Sequence, residues 1–208
     1  MLDRMVHDEL MQMLKECGAI MLRKEGEPCI ELSSGLHTRA KYDFSRAFQY
    51  KEIRERLARE FVGMLGDEMD ASAIDVIAGP ESMGPFLAEM QNFSYFALSS
   101  CRLALAKKDK RGTFFFEKNC DLRFDDRVLF VDDVLTTGRT QRNIALALDG
   151  WHGRIDPPQV YGAVVLARTI PEHFHKNGEI FVPDVSLLSD TTNLVYPSLH
   201  CGYCMRQS

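Results

Sequence analysis

Asp132 and Asp133 stand side by side after the run Val128, Leu129, Phe130 and Val131, and Thr136, Thr137, Gly138, Arg139 and Thr140 follow after Val134 and Leu135. The apolar run is β-branched and aromatic, as expected of a strand buried on both faces of a parallel sheet. Adjacent carboxylates repel, which costs stability unless cations or hydroxyl groups meet them. Beyond the small hydroxylated residues, Ile144, Ala145 and Leu148 recur at helical spacing and the pattern stops at Gly150. A helix N-terminus lined by hydroxyls is a phosphate cradle, and carboxylates beside it suit sugar hydroxyls as acceptors.

Four other stretches carry residue types that suit such a ligand. In DVIAGPESMGPFLAEM (75–90) a strand breaks on Gly79, Pro80 and Gly84 before a helix, and glycine-containing loops let backbone approach an anion closely. KKDKRG (107–112) sets Lys107, Lys108, Lys110 and Arg111 directly after an apolar strand, in a chain whose net charge is −5. LSSGLHTRAKYDFSRA (32–47) offers Tyr42 and Phe44 for stacking on a heterocycle, with Arg39 and Lys41 nearby. Arg168 ends another apolar run, and its planar fork suits a carboxylate. A hydrophobic strand ending in Asp also occurs in nucleotide hydrolases, but the chain has no GxxxxGK[ST] loop.

The string VLFVDDVLTTGRT (128–140) resembles the signature of the phosphoribosyltransferases that use 5-phosphoribosyl 1-diphosphate (PRPP). Over roughly residues 30 to 170 the other motifs follow in that family's order, in forms similar to those of orotate phosphoribosyltransferases. The resemblance implies transfer of ribose 5-phosphate from PRPP to a nucleobase, most like orotate, with release of pyrophosphate. It assigns the ribose hydroxyls to Asp132 and Asp133, and the 5′-phosphate to Thr136, Thr137, Gly138, Arg139 and Thr140. The pyrophosphate loop becomes Ala78 to Gly84, with Gly79, Pro80, Glu81, Ser82, Met83 and Gly84 as PRPP contacts. Lys107, Lys108, Lys110 and Arg111 correspond to a mobile catalytic loop, and with Asp133 they form the implied catalytic set. Arg168, Tyr42 and Phe44 fall to the base. Mg²⁺ bound with PRPP, and a homodimer sharing the mobile loop, are also implied.

The chain departs from the pattern in three places. Lys107 stands for an arginine, the basic loop is shorter and lacks a histidine, and Ser33 occupies the place of a lysine. A purine-type phosphoribosyltransferase and a non-catalytic PRPP-sensing regulator of the same fold are the alternative readings.

The elements that must position these residues alternate between β and α. Helical spacing covers 3–24, 49–65, 84–92 and 138–149, and strands are expected at 74–79, 94–98, 103–106, 128–132 and 160–167. This order predicts an α/β fold: a parallel twisted sheet flanked by helices, with ligands at the strands' C-terminal ends. A single domain over 1–208 is expected, with a core of about 49–178 and a small hood from about 1–48 and 179–208. The tail from about 179 reads as short extended pieces.

Hydrophobic content of 45% and charged content of 26% are ordinary for a globular chain. The net charge argues against a nucleic-acid-binding body. No apolar run approaches the ~20 residues that span a bilayer, and the N-terminus lacks a signal-peptide core, so a cytoplasmic protein is expected. The six cysteines are then expected to be reduced. In HCGYC (200–204), Cys201 and Cys204 have the spacing of half a zinc site. With no second CxxC to complete it, an unligated pair and no bound zinc are expected.

Overall fold

The computed structural model describes residues 3–24, 26–32, 35–70, 73–93, 97–117, 120–123, 125–136, 138–152, 159–168, 185–190 and 196–197. Helix α1 (Arg4–Glu16) opens the chain, with the Asp3 side chain accepting from Met5 N at its N-terminus. It buries Leu10 and Leu14. The helix ends earlier than its apolar spacing predicts, because Gly18 takes a positive φ of 74° and turns the chain into β1 (Ile20–Leu22). Strands β2 (Ile30–Glu31), β3 (Leu36–Thr38) and β4 (Ala40–Tyr42), then helices α2 (Phe44–Ala47) and α3 (Lys51–Glu68), complete the N-terminal third.

The main sheet has six strands. β5 (Val76–Pro80) leads through a short 3-10 turn into α4 (Gly84–Asn92), with Pro85 in its first turn, where a missing N–H costs nothing. β6 (Arg102–Lys108), β7 (Phe114–Phe115), β8 (Arg127–Leu135), α5 (Arg139–His152), β9 (Gln159–Arg168) and β10 (Val185–Asp190) follow. The strand order is β10-β9-β8-β5-β6-β7, and every neighbouring pair is parallel except β6 with β7. A last short strand, β11 (Tyr196–Pro197), pairs with β3 in a separate sheet of order β11-β3-β2.

Alternation along the strands divides the core. Ile77, Leu129, Val131 and Val165 face α1, α3 and α4, where Phe44, Phe61 and Phe86 are fully buried. Val76, Ala78, Val128 and Phe130 face α5 through Ile144 and Leu148. β5 and β8 are apolar on both faces, because helices cover both sides of a parallel sheet.

Two expected elements differ. Residues 97–100 form a 3-10 helix rather than part of a strand over 94–98, and residues 94–96 lie outside the described residues. The expected flap beginning near 179 is interrupted by β10, which joins the main sheet parallel to β9. Its Leu187 and Leu188 are both buried, so the segment has apolar surface on both faces and takes a sheet edge over a core.

Candidate functional site

The C-terminal ends of β5, β6 and β8 lie in one row. Pro80 pairs with Ala106, and Ala78 pairs with Phe130, two residues before Asp132. Close approach of β5 and β8 requires Gly79: a Cβ there would stand 2.6 Å from Val131 O and 3.0 Å from Leu87 Cδ1. At this edge a cavity of about 280 Å³ opens, lined by Pro80, Glu81, Ser82, Ala106, Lys108, Phe114, Asp132, Asp133 and Thr140. Residues from three sequence motifs, spread between Pro80 and Thr140, thus meet on one opening, as expected where strands end in an open α/β sheet.

The parity that turns Val128 and Phe130 toward α5 also turns Asp132 that way. Its Oδ2 accepts a 2.7 Å hydrogen bond from Gln141 Nε2, and its Oδ1 accepts from Asp133 N at 3.0 Å. Asp133 Oδ1 accepts from Val134 N at 2.7 Å. Burial, reinforced by the neighbouring Asp133 charge, pushes Asp132 well above the usual carboxylate range. Burial raises Asp133 as well. A cation beside the pair would favour the ionised forms.

Beyond the pair, Gly138 takes a positive φ of 70° and its carbonyl accepts from Arg142 N, starting α5 next to the cavity. Thr136 lies in this turn and Arg139 begins the helix. Thr137 lies outside the described residues.

The basic segment forms a closed hairpin rather than a long loop. Lys108 pairs with Phe114, and the tip is tied by Asp109, whose Oδ1 accepts from Arg111 N and Thr113 N at 2.8 Å each. Lys108 lines the cavity with its Nζ 4.7 Å from the centre of the Phe114 ring. Lys107 bonds Glu117 at 2.8 Å and approaches Glu81 at 3.7 Å; the Glu117 hydrogen bond raises its pKa and keeps it charged. Lys110 and Arg111 are exposed at the tip, outside the cavity lining.

The expected base contacts separate. Arg168, at the end of β9, is 7% exposed, donates from Nη2 to Thr38 Oγ1 at 2.6 Å and stacks 5.0 Å from the Tyr42 ring centre. Phe44 is fully buried 5.9 Å from Phe48, so it is a core residue and cannot stack on a ligand. Met83 is likewise buried in the core and Gly84 opens α4 against Leu105, so from 79–84 only Pro80, Glu81 and Ser82 line the cavity.

Gln141 and Thr38 were not among the sequence candidates. Gln141 carried a signal: it precedes Ile144 and Leu148 by three and seven residues, a polar group on the buried face of α5. Thr38 carried none, since its contact with Arg168 spans 130 residues.

No family model matches the chain. An orotate phosphoribosyltransferase of Caldicellulosiruptor bescii is 26% identical over 148 residues, 71% of this chain and 70% of that protein. Among solved structures, an orotate phosphoribosyltransferase from Aeropyrum pernix matches 86% of this chain and 93% of its own, at TM-score 0.58 and 22% identity. The chain has the phosphoribosyltransferase fold. Leishmania donovani UMP synthase shares this fold at TM-score 0.59 and 21% identity; 89% of the chain aligns, spanning just 37% of that longer protein. An adenine phosphoribosyltransferase from Leishmania tarentolae shares the fold too, at TM-score 0.56 and 16% identity, with 87% of each chain covered. The phosphoribosyltransferase fold therefore does not by itself separate pyrimidine from purine bases.

Proposed function

We propose that the protein transfers ribose 5-phosphate from PRPP to orotate, giving orotidine 5′-phosphate and pyrophosphate. The observation that carries this reading is the cavity that unites Asp132, Asp133, Thr140, Lys108 and Pro80–Ser82 at the C-terminal sheet edge. Asp132 and Asp133 accept the ribose hydroxyls, the Thr136–Thr140 turn and the α5 N-terminus hold the 5′-phosphate, and the 80–82 turn faces the diphosphate. Lys108 meets charge growing on the departing pyrophosphate, so catalysis is chiefly positioning and electrostatics.

The crowded oxygen donors of the acidic pair fit a hard divalent cation, and Mg²⁺ arriving with PRPP supplies charge neutralisation there. Arg168, held by Thr38 and Tyr42, is the cation for the orotate carboxylate. The reading includes a homodimer, in which Lys110 and Arg111 serve the partner's cavity, and a cytoplasmic location. No helix among the described residues is long and apolar enough to cross a membrane.

A second reading, a PRPP-sensing regulator, is favoured by the closed basic hairpin, whose tip residues stand outside the cavity. One assay separates the two: pyrophosphate release from PRPP and Mg²⁺ against a panel of pyrimidine and purine bases. Turnover of orotate supports the enzyme. PRPP binding without turnover of any base supports the regulator, and turnover of a purine alone removes orotate while keeping the reaction class.

A further inference from the structure

Among the described residues no group of three or more His, Cys, Asp or Glu is placed to hold a metal, and Cys201 and Cys204 lie outside those residues. The cavity wall carries a side chain that the transfer reaction has not accounted for. Phe114 is the one aromatic group among the described residues that line it.

Strand alternation decides what Phe114 meets. Ala104 and Ala106 of β6 point into the core under α5, in the cluster that holds Val76, Ala78, Phe130 and Ile144, and Lys108 is the next residue of that parity. Asp132 leaves β8 on the same face, next after Val128 and Phe130. Across the hairpin, Lys108 stands directly opposite Phe114 and Lys107 directly opposite Phe115, and residues so paired share a face of the sheet. The first pair lines the cavity. The second does not: Phe115 is 41% exposed, and Lys107 is engaged by Glu117.

Phe114 is a fixed platform. It is 6% exposed and packs in the cluster with Phe116, Ile144 and Leu148. The hairpin that presents it is tied by Asp109 N donating to Thr113 O at 2.9 Å and by Gly112 N donating to Asp109 O at 3.0 Å. Lys108 has the opposite character, an exposed position and a long flexible stem. Its Nζ lies 4.7 Å from the centre of the Phe114 ring, inside the ~6 Å range over which a ring face attracts a cation. The ammonium so placed acts on the acidic pair. Burial, then the Asp133 charge, raise the pKa of Asp132, and the Lys108 charge draws it back down.

We infer that Phe114 is the positioning residue for Lys108: its ring holds the ammonium over the cavity, facing the acidic pair, so that the charge is in place before pyrophosphate departs. This rests on the phosphoribosyl transfer proposed above and names the group that orients the cation assigned there. A lysine tethered only by its stem must be ordered during the reaction. One seated on a packed ring meets the growing charge without that reorganisation. Phe114 acts through Lys108 alone.

The test is a double-mutant cycle on Phe114→Leu and Lys108→Ala, read by pyrophosphate release from PRPP, Mg²⁺ and orotate, with PRPP affinity from calorimetry. Phe114→Leu should lower kcat about two- to fivefold, the size of a cation–π contact at an exposed site, and leave PRPP affinity unchanged. Phe114→Tyr, which keeps the ring face, should retain a near wild-type kcat. In a Lys108→Ala chain, Phe114→Leu should cause no further loss. Equal losses with and without Lys108, an unchanged kcat in Phe114→Leu, or a Phe114→Tyr chain as slow as Phe114→Leu overturn the assignment. Nuclear Overhauser contacts between the Lys108 Cε protons and the Phe114 ring, measured in the wild type, cover the case in which a variant fails to fold. Their presence supports the seating and their absence overturns it. A wild type that binds PRPP but turns over no base removes the transfer reaction and this role with it, while the Overhauser contacts persist or fail independently of turnover.

Discussion

Gln141 Nε2 donates a 2.7 Å hydrogen bond to Asp132 Oδ2, tying the first turn of α5 to the end of the strand that precedes it. The other oxygen of Asp132 is engaged by Asp133 N, so the carboxylate is held in one orientation. Gln141→Leu leaves a buried carboxylate short of a donor, at a cost of ~1–3 kcal/mol. The lost bond favours the ionised form, so the destabilisation should be largest where Asp132 is ionised and shrink as pH falls through its raised folded-state pKa. Urea unfolding across pH checks this; an equal loss at every pH would point to packing alone.

Asp132 itself should trade stability for binding. Its folded-state pKa is raised above the unfolded value, so the native state holds the proton more tightly. The associated stability is present below the unfolded pKa and is lost as pH rises through the raised folded value. Asp132→Asn should therefore raise the Tm of the ligand-free protein at neutral pH. The same change, made together with Asp133→Asn, should weaken PRPP binding by roughly ten- to hundredfold per lost contact. Calorimetry showing unchanged PRPP affinity would remove both residues from the ribose site.

Among the described basic side chains, Lys108 alone lines the cavity of its own chain. Lys108→Ala should lower kcat far more than PRPP affinity, by about ten- to hundredfold if one charge-assisted contact to the leaving group is lost. Lys110→Ala and Arg111→Ala, at the exposed tip, should matter only if the tip reaches a partner subunit. If Lys110→Ala is inactive, mixing it with Asp133→Asn chains and looking for restored activity tests service in trans, while full activity of Lys110→Ala alone marks a merely solvated tip.

Gly79 sits where a Cβ would collide with Val131 O, a backbone atom that cannot swing aside. Gly79→Ala should destabilise the protein by ~1–3 kcal/mol, as overpacking does. Denaturant titration measures the loss. A neutral result would mean β5 and β8 can separate without cost.

Arg168→Ala should reduce kcat/KM for orotate while leaving PRPP affinity unchanged, since the guanidinium lies at the end of β9 and is not among the cavity-lining groups. Thr38→Val removes the 2.6 Å contact that orients it and should have the same sign with a smaller size. Equal losses toward orotate and PRPP would place Arg168 in general folding rather than base selection.

The sequence by itself determined the elements whose signal is local. The apolar strand before Asp132, the Gly138 turn and the face of α5 through Ile144 and Leu148 are set by residues within about two turns of one another, so periodicity and turn chemistry reveal them. Segment 97–100 and the edge strand Val185–Asp190 escaped for the opposite reason. Short apolar runs have no decisive period, and whether one becomes strand or turn depends on which surface waits to be covered.

Tertiary structure alone decided which of the candidate groups meet. Tyr42 and Phe44 look equivalent in sequence, yet one stacks on Arg168 and the other is sealed in the core, because two positions along the chain cross from β4 into the first turn of α2. Lys108 and Lys110 are likewise two residues apart, and the hairpin closed by Asp109 sends one to the cavity and the other to solvent. Cys29 and His37 become neighbours only through the register of β2 on β3. Residue types and spacing fix what chemistry a chain can offer; strand pairing and register, which join residues far apart in sequence, fix which offers come within bonding distance.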